Sequence, residues 1–93
     1  MKKLKKHLLT KDLVIGLGEI GDPILKITSR GFPTIGYDID PKLMDKKKYI
    51  KFKNIPTVLV HVCIPFSKTF ESTIIKIEKK YTPRAIVIHS TIS

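Results

Sequence analysis

With a single cysteine, Cys63, in 93 residues, the chain can form neither an internal disulfide nor a multi-cysteine metal cluster, and it suits a reducing compartment. No apolar run approaches the roughly 18 residues that a membrane-spanning helix needs. The first ten residues are too basic and too poor in apolar side chains for a secretory signal, so the expected location is the cytoplasm. The length is that of one small domain, with no room for a second, substrate-binding one. Acids are scarce, 8 Asp and Glu against 18 Lys and Arg, which leaves a formal net charge of +10.

That charge is clustered. Lys2, Lys3, Lys5, Lys6 and Lys11 crowd a basic N-terminal arm, residues 1–11, and Lys42, Lys46, Lys47, Lys48, Lys51 and Lys53 crowd the middle. Such clusters raise the local concentration of phosphorylated ligands, nucleic acid or acidic proteins without choosing among them, and a solvated surface is their ordinary meaning. Hydrophobic residues at 42% and charged ones at 28% describe a folding globular chain rather than a disordered one.

Residues 12–93 are expected to fold as one α/β domain organised around residues 13–41. The apolar run at 13–17 is too short for a helix and reads as a buried parallel strand. Gly16, Gly18 and Gly21 follow in the spacing G-x-G-x-x-G. The first glycine permits a tight turn, the second lets backbone approach a pyrophosphate, and the third lets a helix pack closely on the strand. A helix is expected over 19–30, with Ile20, Ile24 and Ile27 toward the sheet, Pro23 tolerated in its first turn, and Gly31 as a left-handed stop. A second strand at 34–38 ends on Asp38, 17 residues beyond Gly21. An acid there can accept hydrogen bonds from ribose hydroxyls and repel the extra phosphate of NADP, which favours NAD.

The second half continues the alternation. A short helix is expected over 41–48 with Asp40 as N-cap and Pro41 at its first position, then a short edge strand over 49–53. The β-branched run at 57–64 is a strand closed by Pro65. Ser67 is a reasonable N-cap for a helix with Phe70, Ile74, Ile77 and Tyr81 on one face, closed by Thr82 and Pro83. Residues 85–89 read as a last buried strand. The fold class is thus a truncated Rossmann-type, doubly wound, mostly parallel sheet. Methyltransferases use a related turn, but with tighter glycine spacing and commonly a preceding acid, which strand one lacks.

His61 and Cys63 lie two apart on one face of a strand and read as packing residues, since two ligands make no closed metal site. His89 stands at the carboxyl end of the last strand, the edge where such sheets bind ligands. No serine, cysteine or lysine has an identifiable base partner, so nucleophilic catalysis has no support.

Four segments, VIGLGEIGDPI, GYDIDP, VHVCIPFS and VIHSTIS, together resemble the N-terminal coenzyme domain of the nucleotide-sugar dehydrogenases, the UDP-glucose and GDP-mannose 6-dehydrogenase family. The 6-phosphogluconate and 3-hydroxyisobutyrate dehydrogenases are wider relatives. The resemblance places the phosphate loop on Gly16, Gly18, Glu19, Ile20 and Gly21, and the ribose acid on Asp38 with Ile39 beside it. It sets Cys63, Ile64 and Pro65 along the riboses, and Ser90 and Thr91 near the nicotinamide. Phe66 and Ser93 depart from the family pattern, which has threonine and proline at those positions. The family's catalytic cysteine and lysine belong to later domains, and Cys63 is not that cysteine.

The resemblance therefore implies an NAD(H)-binding domain without its catalytic half. It would be an NAD-dependent oxidoreductase only as part of a longer chain, and not catalytic as these 93 residues alone. The alternative is a non-enzymatic Rossmann-like module that dimerises or binds a partner through its basic surface or open sheet edge. Nucleic-acid binding rests on charge alone and is the least favoured partner.

Overall fold

In the computed structural model, which describes residues 9–89, the first apolar run forms strand β1 (Lys11–Ile15), buried at Leu13, Val14 and Ile15. There follow α1 (Gly21–Thr28), β2 (Thr34–Tyr37), a 3-10 turn (Pro41–Leu43), α2 (Lys46–Phe52), β3 (Thr57–Val62), α3 (Phe70–Tyr81) and β4 (Ala85–Ile88), the expected order except between β2 and β3. The four strands make one all-parallel sheet in the order β2-β1-β3-β4. Successive residues of a strand alternate between faces, and this sorts the core. Leu13, Ile15, Ile35, Val60 and Val62 form one cluster with Phe70 and Ile77 of α3, joined by Tyr49 and Phe52 of α2 and by Ile74, Tyr81 and Ile86. On the opposite face, a Cβ on Gly36 would lie 2.7 Å from Leu17 and 2.9 Å from Leu25 of α1. Helices therefore cover both faces, and the sheet is doubly wound as expected.

Several local expectations need correction. Lys11 belongs to β1 rather than to the basic arm. It is buried, its Nζ donates to the Ile55 carbonyl, and burial lowers its pKa. Helix α1 starts at Gly21 instead of residue 19, so its sheet-facing stripe changes phase. Leu25 meets the sheet, Ile20 is 39% exposed, and Ile27, 64% exposed, points to solvent. Gly31 is not left-handed. The helix ends in a turn in which the N–H groups of Gly31 and Phe32 both reach the Thr28 carbonyl, at 3.2 and 3.0 Å.

Residues 49–53, expected as an edge strand, instead form the second half of helix α2 and its C-cap, Lys53. Asp45 starts it by accepting from the Lys48 N–H at 3.1 Å, and Tyr49 and Phe52, three apart, turn together onto the core. Asp40 does cap with Pro41 at the first position, accepting from the Lys42 N–H at 3.0 Å, but what it caps is only the 3-10 turn. Ser67 is not the cap of α3. Thr69 holds that position, and Ser67 bonds to the Thr69 hydroxyl. Strand β4 is an exposed edge, with Val87 and Ile88 (51% exposed) open to solvent, because α3 covers it only at Ile86. Thr82 ends α3 in the left-handed region, φ 41°.

Candidate functional site at the carboxyl edge of the sheet

Chain leaving β1 goes to β2 on one side, while β3 lies on the other side and leads outward to β4. That reversal creates a crevice outside the carboxyl ends of β1 and β3, where parallel sheets of this kind take ligands. Gly16, Gly18, Glu19, Ile20 and Gly21 follow β1, Asp38 and Ile39 follow β2, and Cys63, Ile64 and Pro65 follow β3. The topology thus brings ten of the twelve expected residues to one edge. Ser90 and Thr91 lie outside the described residues.

Each glycine of the turn meets a different constraint. Gly16 has φ +91°, and a Cβ there would fall 2.7 Å from the Cys63 carbonyl oxygen, so the turns after β1 and β3 touch through backbone. A Cβ on Gly21 would lie 1.5 Å from the Gly16 carbonyl oxygen, which no side chain survives without backbone movement. Gly18 is exposed, and a Cβ there would meet nothing within 4 Å. Open space above the middle glycine is what a ligand approaching the backbone requires.

The hydrogen bonds of this turn define a donor cradle. The Leu17 N–H donates to Asp38 Oδ2 at 2.8 Å, and the Asp22 N–H to the Gly18 carbonyl at 3.1 Å. Between them, the N–H groups of Gly18, Glu19, Ile20 and Gly21 have no acceptor among the described residues. Unpaired donors at the start of a helix, reinforced by its dipole, favour an anion. Glu19 is exposed and adds negative charge beside them, and the Asp22 carboxylate is engaged by Lys26 at 2.9 Å. The positive potential at this turn therefore comes from backbone donors, not from a side-chain cation of the turn.

Asp38 does more than the sequence suggests. Its second oxygen accepts from the Asp40 N–H at 2.8 Å, so one carboxylate ties the phosphate turn to the segment after β2. A carboxylate offers about four lone-pair sites, which leaves room for two hydroxyl donors. Ile39 beside it is 92% exposed, an apolar surface at the rim of the crevice.

At the other end of the edge the histidines form a pair that the sequence reading treated as separate residues. His61 Nδ1 lies 2.8 Å from His89 Nε2, and the rings stack with centroids 5.1 Å apart. The available signal was that both residues sit near the ends of two strands that parallel topology makes neighbours. His61 is only 9% exposed, and its Nε2 is buried without a partner among the described residues. Burial pushes the His61 imidazole below its ordinary pKa, His89 adds to this, and the Asp12 carboxylate offsets part of it. Burial also raises the Cys63 thiol, the opposite of what a nucleophile needs. Phe66 is exposed and packs on the Phe70 ring at 5.0 Å.

Comparison with family models, with curated proteins and with solved structures finds no match to this chain. Among the described residues no group of three or more His, Cys, Asp or Glu is placed to hold a metal ion, and no helix is long and apolar enough to cross a membrane. A shallow depression lined by Ile75, Glu78, Lys79, Thr82 and Pro83 lies where α3 returns to the start of β4, at the sheet edge opposite this crevice.

Proposed function

We propose that the domain binds NAD(H), as the coenzyme half of a nucleotide-sugar dehydrogenase-like oxidoreductase, and that it carries no catalytic set of its own. The observation that carries this reading is the turn after β1: four unpaired backbone donors at a helix start, beneath an open glycine and beside a carboxylate. In this reading the donors of residues 18–21 hold the pyrophosphate. Asp38 accepts the adenosine ribose hydroxyls through its remaining lone pairs, Ile39 lies against the adenine, and the turn after β3 borders the nicotinamide side. Hydride transfer needs a substrate and an acid–base group from outside these residues.

Calorimetric titration tests the reading. NAD, NADH and ADP-ribose are expected to bind saturably, and NADP more weakly, because its extra phosphate would face the Asp38 charge. Absence of saturable binding at millimolar ligand, with the protein folded by circular dichroism, overturns it.

One observation favours a second reading, a module that pairs with another copy of itself. Strand β4 has an open edge with exposed Val87 and Ile88 and no charged residue within it, whereas edges that avoid pairing usually carry charge. Sedimentation showing a monomer across a wide concentration range removes this reading.

A further inference from the structure

Folding of residues 46–52 into a helix changes the meaning of the central lysines. As an edge strand they would guard a sheet edge; as α2 they stand beside α3 over the same sheet face. The two helices meet through Tyr49 and Tyr81, whose hydroxyls are 3.5 Å apart, and Lys80 of α3 reaches back over the Tyr37 and Tyr81 rings. Lys46, Lys47, Lys51 and Lys53 are exposed on one side of this seam, and Lys76, Lys79 and Lys80 on the other.

Residues 40–81 hold ten lysines and four acids, Asp40, Asp45, Glu71 and Glu78. Asp40 and Asp45 are turned to backbone N–H groups as caps. The ion pair found among the described residues, Lys26 with Asp22, is on α1 at the opposite face of the sheet. The seven lysines of α2 and α3 outnumber the two acids of those helices, Glu71 and Glu78, and none of them forms an ion pair among the described residues. Lys46, Lys47 and Lys48 also open α2, where like charge opposes the helix dipole. A folded domain that keeps charge where it weakens its own helix has that charge available for a partner.

We propose that the outer surface of α2 and α3 binds the phosphate backbone of duplex nucleic acid without reading its sequence. Two features select this polyanion over an anionic membrane. The apolar stripes of both helices are already used, Tyr49 and Phe52 from α2 and Phe70, Ile74, Ile77 and Tyr81 from α3 all packing on the core. The exposed Ile50 and Ile75 stand singly on different helices, so there is no apolar face to insert into lipid. The aromatic residues of both helices are likewise at least half-buried, so the two helices themselves offer no platform for stacking single-stranded bases. What remains is a surface on which lysines of two neighbouring helices converge, Lys46, Lys47 and Lys51 of α2 and Lys76, Lys79 and Lys80 in the second half of α3, and clustered positive charge of this kind suits the closely spaced phosphates of a duplex.

Fluorescence anisotropy with a short DNA duplex of arbitrary sequence tests the proposal. Affinity is expected to fall with salt, with a slope near −0.9 in log–log form for each phosphate engaged. The fourfold variant Lys47→Gln, Lys51→Gln, Lys76→Gln, Lys79→Gln is expected to bind at least about tenfold more weakly and to flatten the slope by about 3, while the matching Lys→Arg set retains binding. The variant Lys2→Gln, Lys3→Gln, Lys5→Gln, Lys6→Gln is expected to bind nearly as the parent does. Unchanged folding is checked by circular dichroism and a denaturation midpoint. The proposal is overturned if the helix variant binds as the parent does, or if the arm variant takes the loss. Salt-independent binding, tighter binding of a single strand of the same length, or capture by phosphatidylserine vesicles without duplex binding each overturns it as well.

Discussion

Gly18 and Gly21 stand three residues apart in the same turn, and replacing each by alanine separates packing from ligand binding. At Gly21 the new Cβ would sit 1.5 Å from the Gly16 carbonyl oxygen and 3.3 Å from the Cys63 Cβ. Restoring an ordinary contact requires the start of α1 to retreat from β1 by roughly 1.5 Å or more, and overpacking against backbone costs about 3 kcal/mol or more. For a domain of this size, that is a large share of a total stability on the order of 5 kcal/mol. At Gly18 a Cβ meets nothing within 4 Å and φ is not positive. Alanine there should leave stability unchanged or raise it by about 0.4–1 kcal/mol through the unfolded chain. In the proposed NAD reading it also places a methyl group where the pyrophosphate would approach, so NAD affinity should fall by about tenfold or more, about 1.4 kcal/mol. Urea denaturation followed by circular dichroism reads the first effect, and calorimetry with NAD and ADP-ribose reads the second. If Gly21→Ala lies within about 0.5 kcal/mol of the parent, the close-packing argument is wrong. If Gly18→Ala binds NAD as the parent does, the turn is not the pyrophosphate site.

Other consequences follow from single residues. Because the folded pKa of His61 lies below its ordinary value near 6.5, the unfolded chain takes up the proton first as pH falls. Its contribution to stability is complete above that value and is lost as the pH falls from it through the lower folded pKa. His61→Gln should reduce the slope of stability against pH between 7 and 5, and an unchanged slope in urea titrations refutes the assignment. Thr82 sits at φ 41°, a region that costs a β-branched residue about 1–2 kcal/mol. Thr82→Gly should raise the denaturation midpoint by a net gain of about 0.5–1 kcal/mol, and a lower midpoint would show that the threonine makes a compensating contact. Phe70, 5% exposed, anchors α3 on the sheet. Phe70→Ala should cost about 3–5 kcal/mol, read as loss of the cooperative transition.

The parts of the fold legible in the sequence are those where one physical signal has no rival. A short apolar run ending in glycine, as at Leu13 to Gly16, cannot be a helix of useful length, and β3 is marked by its β-branched residues. The helix carrying Phe70, Ile74, Ile77 and Tyr81 has a full 3.6-residue period over three turns, and the core uses all four. Residues 49–53 are not decidable in this way. Tyr49 and Phe52 fit a helical stripe, while Tyr49, Lys51 and Lys53 also fit one side of a strand, and five residues are too few to separate the periods. The Asp45 cap decides the matter in three dimensions. Strand β4 is legible as a strand but not as an exposed one: an apolar composition fixes what a segment would bury, but only the placement of the helices fixes whether something covers it. The histidine pair joins residues 28 apart, and that contact follows from strand order, which no local pattern contains.

Asp38 shows how the site and the fold depend on the same group. In a reading from sequence it is a ligand for ribose. In the structure it accepts the Leu17 N–H and the Asp40 N–H, both at 2.8 Å, and bonds of this charge-assisted kind contribute about 1.5–3 kcal/mol each when a partner is removed. The carboxylate therefore holds the glycine turn in shape before any ligand arrives, which in the proposed NAD reading reduces the ordering cost of binding. It follows that removing the Asp38 side chain would weaken NAD binding even if the acid never touched the coenzyme, because the turn would loosen. Loss of binding in such a variant is not evidence for ribose contact. A change in the ratio of NAD to NADP affinity is, since the loosened turn affects both coenzymes alike and only direct proximity to the extra phosphate distinguishes them.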